Sequence, residues 1–560
     1  MTGPSYARGS TRRPLLDETI GQNLRRTVER CGDRTALVDV ELGTRASYAE
    51  LWESSGRVAG GLLARGIGHG DRVGVWAANR HEWVVLQYAA ARIGAVLVAL
   101  NPTYERAELG QALRHSGTRL LFHAARYRGT DCAELVADVA TTCPELQGAV
   151  TFERDWAEFV AAEPTGVAAA EQRVDPGDPV AIQFTSGTTG RPKGATLTHH
   201  NLLNNGHLVG AQAGFTEQDR ICVPVPLFHC FGMVLGTLGA GSHGAALVLP
   251  GGPFDARLTL ASIVAERCTA VYGVPTMFRA LLEHPDLAGS DVGSLRGGLI
   301  GGAPCPPELL ASIRDRLHVP RLSTVCGMTE TSPISTQTLP DDPPDVRDHT
   351  VGRPTPHIEV TIVDPATGRV VPVGTPGEQC TRGYSVMRGY WADDGATAEA
   401  IDPAGWMRTG DLAVMDERGV VTVVGRIKDV IIRGGENIHP GEIEEVLRGH
   451  PQVSDAQVIG VPHDYYGEQV MAWVRPNPGA EPAVPELVEF CTGRISRSKI
   501  PALWRLTDSF PTTASGKIQK FRMRRIAIDE LGSPEPLATV PAHTGHGDLP
   551  AVTIPTEPRP

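Results

Sequence analysis

Lysine is scarce in this sequence. Only five of the 52 basic residues are lysine, and they are Lys193, Lys428, Lys499, Lys517 and Lys520. Arginine is a wide planar fork, whereas lysine is a compact charge on a slender stem, so the two differ most where one cation must enter a narrow phosphate or carboxylate site. Because this chain uses arginine almost everywhere, we expect its few lysines to mark such sites.

Features typical of several protein classes are also missing. The ten cysteines form no CxxC pair, which argues against zinc and fits reduced thiols in a cytoplasm. No apolar run reaches about 18 residues, so a membrane span is not expected. The net charge of -12, without a basic run, disfavours nucleic acid as a partner. The opening residues carry arginines but no apolar core, which is not typical of a secretory signal, and a transit peptide is the alternative.

The first part of the chain has the pattern of a parallel α/β sheet. With 560 residues, several domains are expected. Ser47 and Glu50 have the spacing of a capping box, and the helix that they begin should end near Gly66. Segment 71–76 then reads as a strand, 82–93 as a helix and 94–100 as the next strand. This alternation predicts βαβ units.

The pattern changes after a loop rich in Asp and Pro at 341–353. Short strands at 358–363 and 377–381, and strand segments at 414–424 around the turn 416–419, predict a small β-barrel-like subdomain. Beyond Lys428, a helix at 440–448, strands at 456–461 and 469–474 and a helix at 484–495 predict an α+β module. We therefore expect an α/β fold with a large N-terminal domain (1–427), a small C-terminal domain (428–531) and a disordered tail (532–560) that holds seven prolines.

The segment FTSGTTGRPKG at 184–194 cannot be explained by packing. Ten of its eleven residues are hydroxylated, glycine, proline or cationic, and the segment directly follows an apolar strand at 179–183. Backbone N–H groups, hydroxyls and the ammonium of Lys193 suit the oxygens of a polyphosphate. A surface turn is the alternative. It is not a Walker A loop, because Gly194 stands where that motif needs Ser or Thr.

Four later clusters share this polar, glycine-rich character. In CGMTE, Glu330 could hold Mg²⁺ directly or through water, and in GWMRTGD, Asp411 could accept two hydrogen bonds from a ribose diol. The third cluster is GRIKD followed by IIRGGENI, and the fourth is PTTASGKIQK, which contains Lys517.

These motifs, in this order and at these separations, resemble the adenylate-forming superfamily of acyl-CoA synthetases, luciferases and peptide-synthetase adenylation domains. The resemblance runs from about residue 16 to residue 531 and excludes the tail. PLLDETIGQNL, SKIP and FPTTASGKIQK are most similar to medium-chain fatty acyl-CoA ligases.

The resemblance implies a two-step reaction with ATP, Mg²⁺ and coenzyme A, in which a carboxylic acid forms an acyl-adenylate and a thiol then displaces AMP. The phosphate-binding positions would be Thr185, Ser186, Gly187, Thr188, Thr189 and Lys193. Thr329 and Glu330 would contact the α-phosphate and Mg²⁺. Asp411 and Arg426 would bind the ribose. Lys517 would contact the reacting carboxylate and the phosphate. Further nucleotide-site positions are Gly301, Gly302, Ala303, Pro304, Cys326, Gly327 and Met328. Lys428 would be the hinge of a domain rotation that replaces Lys517 with Gly434 and Gly435.

The acid is harder to predict. His229 matches the aromatic-gate region near the acyl pocket of the family. The alternative is a histidine that is packed in the core and has no part in the site. Amino-acid-activating relatives have an aspartate near this point, which disfavours an amino acid. The residues expected to line a mostly apolar pocket are Val234, Leu235, Val274, Pro275, Thr276, Met277, Gly301, Gly302 and Ala303.

Cys326 departs from the family pattern, because relatives usually have an aromatic residue there that stacks on adenine. Stacking is worth about 0.5 to 1.5 kcal/mol, so ATP binding should weaken or depend on other groups. Three functions are considered: a CoA ligase for a medium-chain, aliphatic or aryl acid; the same adenylation with a carrier-protein thiol, an amine or nitrite; and a nucleotide-binding protein without activity. A homodimer is one expected oligomeric state, and the sequence does not determine it.

Overall fold

The computed structural model describes residues 3–185, 193–433, 436–463, 466–492, 494–495, 497–513, 516–531 and 538–539. Its helices are α1 Ile20–Cys31, α2 Tyr48–Ala64, α3 His81–Arg92, α4 Arg106–Ser116, α5 Cys132–Ala140, α6 Phe152–Val160, α7 Val167–Glu171, α8 His199–Ala213, α9 Gly239–His243, α10 Ala256–Ala265, α11 Pro275–Glu283, α12 Pro307–Arg316, α13 Pro344–Arg347, α14 Asp394–Ala400, α15 Pro440–Arg448, α16 Val484–Cys491 and α17 Lys520–Leu531.

The strands up to residue 337 are β1 Tyr6–Arg8, β2 Thr35–Asp39, β3 Thr44–Ser47, β4 Arg72–Trp76, β5 Val96–Leu100, β6 Leu120–His123, β7 Arg126–Tyr127, β8 Thr130–Asp131, β9 Gly148–Thr151, β10 Pro179–Thr185, β11 Lys193–Thr198, β12 Arg220–Cys222, β13 Ala246–Leu249, β14 Ala270–Gly273, β15 Gly297–Gly301, β16 Arg321–Gly327 and β17 Ile334–Gln337. The later strands are β18 Arg353–Pro354, β19 Ile358–Val363, β20 Gly377–Gly383, β21 Gly389–Tyr390, β22 Met407–Met415, β23 Val421–Arg426, β24 Ile431–Arg433, β25 Glu436–Ile438, β26 Val453–His463, β27 Gly467–Pro476, β28 Leu503–Leu506 and β29 Ala538–Thr539.

Two largely parallel sheets form the centre of the N-terminal part. One has seven strands in the order β21-β11-β10-β5-β4-β6-β9, and the other has nine in the order β18-β17-β16-β15-β14-β12-β13-β2-β3. Their central strands, such as β4 and β5, are almost wholly buried, as expected for parallel strands covered on both faces. A large apolar cluster with residues from both sheets packs around Trp83 and Tyr272.

The predicted α/β fold is confirmed. The capping box of α2 is present, with Ser47 accepting from Glu50 N and Glu50 accepting from Ser47 N, and the helix ends at Ala64. Strands β4 and β5 are parallel neighbours joined through α3, which is the predicted βαβ unit. The predicted β subdomain is an antiparallel five-stranded sheet in the order β1-β19-β20-β22-β23. The C-terminal α+β part has a sheet in the order β25-β24-β27-β28-β29, with β26 paired to β27.

Four details differ from the sequence-based expectations. Strand β1 lies ahead of the region of resemblance, yet it completes the five-stranded sheet by pairing with β19. The predicted loop at 341–353 contains α13. Helix α16 ends at Cys491, earlier than the expected 495, because Thr492 already has extended backbone angles. Within the predicted tail, Ala538–Thr539 pair with β28, and the rest of 532–560 lies outside the described residues.

The C-terminal part has its own apolar cores. Two clusters, one around Trp504 and one around Trp473, consist only of residues between 431 and 527. The predicted boundary at Lys428 falls in the short 3₁₀ turn Ile427–Asp429 that precedes them. Every helix in the described part of the chain is too short or too polar to cross a membrane.

Replacing Trp504 should destabilise the C-terminal part alone. The side chain is fully buried, and its Nε1 donates to Pro501 O at 2.8 Å. Trp504→Ala should cost about 3 to 5 kcal/mol, whereas Phe521→Ala, at a side chain that is 66% exposed, should stay within about 0.5 kcal/mol. Hydrogen exchange of the β26 and β27 amides measures the loss. Equal effects of both variants, or an equal loss of protection in β4 and β5, would contradict an independent C-terminal core.

Candidate active site

The predicted phosphate loop joins the two strands of an antiparallel pair. Strand β10 ends at Thr185 and β11 begins at Lys193, and these two residues are direct partners. The predicted residues Ser186, Gly187, Thr188 and Thr189 lie in between, outside the described residues. The Lys193 ammonium lies 5.0 Å from the centre of the Tyr390 ring. The two ends of the loop are therefore fixed at the edge of the seven-stranded sheet.

Glu330 lies in a 3₁₀ turn that directly follows β16 and Met328. The turn is possible because Gly327 has no side chain: a Cβ there would lie 1.9 Å from Pro333 O. Glu330 is only 5% exposed, and its Oε1 accepts a hydrogen bond from the Tyr390 hydroxyl at 2.9 Å. Thr185 Oγ1 lies 3.3 Å from the same oxygen. Glu330 Oε2 accepts no hydrogen bond from the described residues.

Asp411 and Arg426 are direct partners on β22 and β23. Arg426 Nε lies 2.9 Å from Asp411 Oδ1, so the two predicted ribose-site residues form an ion pair. Burial raises the pKa of Asp411, while the charges of Arg426 and Lys517 act in the opposite direction. Antiparallel pairing holds the two side chains next to each other, and the charges of both act on Cys326 near the end of β16.

Lys517 reaches this site from the C-terminal part. Thr513 N donates to Lys517 O at 2.8 Å, and Lys517 N donates to Thr513 Oγ1 at 3.0 Å, which closes a tight turn. Gly516 in this turn has a φ of 78°, and a Cβ there would lie 2.6 Å from Thr276 Oγ1. The turn thus contacts the predicted acyl pocket, through a backbone conformation that favours glycine.

Several charges surround the Lys517 ammonium. The Lys517 residue is exposed by accessible area, yet the protein atoms packed around its ammonium partly desolvate it and lower its pKa, and Arg426 lowers the pKa further. Asp411, Cys326 and Glu330 act in the opposite direction. The structure therefore brings together Glu330, Asp411, Arg426 and Lys517, which are far apart in sequence.

His229 lies at the base of the same cleft. Its ring is 4.3 Å from that of Phe228, and its carbonyl accepts from Met233 N at 2.9 Å, within the start of a π-helix at Phe231–Leu238. Burial lowers the pKa of His229 to about 4, with a further contribution from Lys517. The imidazole is therefore neutral at pH 7.

The predicted acyl-pocket residues are close to one another in the fold. Val234 and Leu235 are buried in the π-helix, Val274 and Met277 are buried where α11 begins, and Pro275 and Thr276 lie between those two. Gly301 ends β15, and Gly302, Ala303 and Pro304 follow it. These elements meet at the carboxyl end of parallel strands β14 and β15, the usual ligand-binding edge of such sheets.

Cys326 is partly buried at the end of β16, next to Cys305. Burial raises the pKa of each thiol to about 12, so both are protonated at neutral pH. A thiol is polarisable and apolar in character but provides less contact area than an aromatic ring. The effect of this departure on adenine binding remains a prediction.

Three predicted positions concern the expected domain rotation. Lys428 lies in the 3₁₀ turn Ile427–Asp429, and Gly434 and Gly435 lie outside the described residues. Gly441 at the start of α15 contacts β23, because a Cβ there would lie 3.0 Å from Val424 O. Together with Gly516, it provides a close glycine contact between the C-terminal part and the rest.

Sequence reasoning missed two residues of the site. Tyr390 contacts both Lys193 and Glu330, and its only sequence signal is the aromatic pair in RGYW at 388–391. Gln183 is 2% exposed at the end of the apolar strand β10; its Nε2 donates to Phe228 O at 3.3 Å, and its Oε1 accepts from the Cys230 thiol. Gln183 looks like a strand residue in the sequence, yet it supports the backbone beside His229.

Comparison with known proteins identifies the family of this chain. The model of the AMP-binding enzyme family matches residues 24–391, and that of the AMP-binding enzyme C-terminal domain matches residues 442–517. The chain therefore belongs to the AMP-binding enzymes, the adenylate-forming family that its motifs predicted.

Individual relatives are similar over nearly the whole chain. The Bacillus subtilis (strain 168) protein YngI, named as an acyl-CoA synthetase, is 42% identical over 92% of this chain and 98% of its own length. The mitochondrial medium-chain acyl-CoA ligase ACSF2 of Danio rerio is 39% identical over 94% of this chain and 91% of its own length. The crystal structure of ATP-bound MatB from Rhodopseudomonas palustris superimposes with a TM-score of 0.82 at 29% identity, covering 92% of this chain and 99% of MatB.

The pKa of Lys517 can be tested directly. We expect its amine to lose its proton at a lower pH than the same lysine in a free peptide of sequence TASGKIQ, because the cleft and Arg426 disfavour the charged form. Lys517 thus carries its charge below this lowered pKa and loses it as the pH rises through it. Pulse labelling of amines across pH, read by mass, gives the titration. Arg426→Met should move the pKa of Lys517 upward, and a protein value at or above that of the peptide would contradict the geometry.

Proposed function

We propose that this chain is an AMP-forming acyl-CoA ligase that activates an acid with an apolar tail, either a medium-chain fatty acid or a related aliphatic or aryl acid. The observation that carries the proposal is the position of Lys517 in a cleft beside Glu330, Asp411 and Arg426. Such a set of fixed charges suits a reaction between two anions. The acyl-CoA relatives support the choice of substrate class.

ATP would lie along the ends of the strands. Lys193 and Thr185, with the loop between them, would bind the β and γ phosphates. Asp411 would accept from the ribose hydroxyls, because a carboxylate has acceptor capacity left beside its Oδ1 pair with Arg426. Cys326, Gly327 and Ala303 would contact the base.

Glu330 has the chemistry of a Mg²⁺ ligand. Mg²⁺ binds oxygen, and in phosphate-transfer sites it uses one or two carboxylates together with phosphate oxygens. Glu330 presents one buried carboxylate whose Oε1 is fixed by Tyr390, and the described residues contain no cluster of three or more potential ligands that would form a cage. The metal would neutralise phosphate charge when bound, and Thr185 and Tyr390 would hold the carboxylate still.

The first half-reaction joins the acid to the α-phosphorus. A carboxylate oxygen attacks that phosphorus, the bond to the bridging oxygen of pyrophosphate breaks, and acyl-AMP forms. Both reactants are negative, so fixed cations reduce the barrier most where charge accumulates. Lys517 would lie between the acyl carboxylate and the phosphate oxygens, while neutral His229 adds no charge to the acyl side.

The second half-reaction needs a different arrangement. The CoA sulfur attacks the acyl carbon, AMP leaves with the bonding electron pair, and the thiol proton passes to solvent. We propose that the C-terminal part rotates about Lys428 between the two steps, since a short turn separates its cores from the rest. The close contacts at Gly441 and Gly516 belong to the first arrangement.

An acid panel tests the function. Straight-chain acids of increasing length, one aryl acid and one amino acid are mixed with MgATP, with and without CoA, and products are identified by mass. We expect acyl-AMP without CoA and acyl-CoA with it. The value of kcat/KM should rise about fourfold per buried methylene until the pocket is full, since each is worth about 0.8 kcal/mol.

Other products would redirect or overturn the proposal. If the acyl group passes from acyl-AMP to a carrier-protein thiol or an amine but never to CoA, the adenylation step of the proposal stands and the acceptor is different. Activation of nitrite in place of every acid would replace the substrate class. Nucleotide binding without pyrophosphate release would leave only a non-catalytic protein.

Lys517→Ala separates the two half-reactions. Loss of a pre-placed cation should slow adenylation by about 10²- to 10³-fold, whereas thioester formation from supplied acyl-AMP should be nearly unchanged. Lys499→Ala is the matched control, because Lys499 pairs with Glu442 at 2.7 Å within the C-terminal part. An equal fall in both half-reactions of Lys517→Ala would contradict the proposed rotation.

A further inference from the structure

Tyr390 contacts both the Lys193 ammonium and the Glu330 carboxylate. Its hydroxyl donates to Glu330 Oε1 at 2.9 Å, and its ring lies 5.0 Å from the Lys193 ammonium. We propose that Tyr390 is a positioning residue that fixes the metal-binding carboxylate and the phosphate-loop cation relative to each other. This inference rests on the proposed function, since it assigns Glu330 to Mg²⁺ and Lys193 to ATP.

Strand pairing places the ring beside Lys193. Strand β21 is antiparallel to β11, and Tyr390 is directly opposite Ala195. Lys193 lies two residues from Ala195, on the same face of β11, because side chains alternate along a strand. Such a diagonal position is within reach of a long side chain and an aromatic ring. Trp391 N also donates to Gly194 O at 2.7 Å, which extends the pairing towards the loop.

The same segment fixes Glu330 at two points. Met387 N donates to the Glu330 carbonyl at 2.9 Å, and the Tyr390 hydroxyl binds its carboxylate. Tyr390 is held in turn, because its N donates to Thr397 Oγ1 at 2.9 Å. A Cβ at Gly389 would lie 2.9 Å from the Thr397 side chain, so the backbone approaches α14 closely. A carboxylate with one oxygen held in this way has its other oxygen oriented for a ligand.

The hydroxyl and the ring have separate effects. A phenol donates to a carboxylate without being charged, so it orients Glu330 while leaving its negative charge for a cation. The ring face attracts the Lys193 ammonium, which limits the positions that this flexible side chain adopts. Removing the hydroxyl alone should therefore affect the metal, and removing the ring as well should also affect nucleotide binding without metal.

Equilibrium binding distinguishes these effects without turnover. Mn²⁺ affinity is measured by electron paramagnetic resonance in the presence of a non-hydrolysable ATP analogue, and analogue affinity is measured by calorimetry in EDTA. Tyr390→Phe should weaken Mn²⁺ binding about tenfold or more and leave metal-free analogue binding unchanged. Tyr390→Leu should in addition weaken metal-free binding by about two- to fivefold.

Tyr384→Phe is the matched control. Its hydroxyl lies 3.3 Å from Asn205 Nδ2, and the side chain is partly buried like that of Tyr390, so both affinities should match the wild type. Wild-type Mn²⁺ affinity in Tyr390→Phe, or an equal loss of metal-free binding in the Phe and Leu variants, would overturn the proposal. A wild type that binds Mn²⁺ and the analogue but activates no acid would refute the proposed function and leave the role of Tyr390 decided by these titrations.

Discussion

A cation in a partly closed cleft is the constraint on which the rest of the site depends. Burial disfavours the charged form of Lys517, and the nearby guanidinium of Arg426 adds to that cost. Asp411 and Glu330 offset it, and both are themselves buried. Each of these charges is therefore stabilised by the opposite charges beside it, and the negative charge of a bound triphosphate would stabilise the cations further. The arrangement is poised for an anionic ligand rather than for packing.

The motifs of the sequence encode local geometry, and the roles assigned to the cleft residues stay predictions. Asp411 lies in the middle of β22 and Arg426 ends β23, and these two strands are joined by a short turn, so the pairing of the two residues follows from the hairpin itself. The helix at 440–448 and the capping box of Ser47 were predicted from cap residues and periodicity, and both are confirmed. The scarcity of lysine was a weaker guide, because Lys499 and Lys520 form ion pairs with the carboxylates of α15.

What the sequence could not predict depends on contacts between distant segments. Tyr390 pairs with a strand that lies almost 200 positions earlier in the chain, and no local sequence pattern predicts that β21 pairs with β11. Gln183 reads as part of an apolar strand until its amide is seen against Phe228. Strand β1 has only three residues, too few for periodicity, and it is stabilised by its partner β19.

The same electrostatics bear on the order of the two proposed half-reactions. With ATP in place, the cost of holding Lys517 in the cleft is offset by the phosphates. Once pyrophosphate leaves, much of that negative charge is gone, while the positive charge of Arg426 remains beside Lys517. The described contacts of the C-terminal part with the rest include close glycine approaches at Gly441 and Gly516. Lys517 should therefore leave the site more easily after adenylation than before it. This difference favours the proposed rotation after the first step, and it does not depend on contacts with the acyl chain.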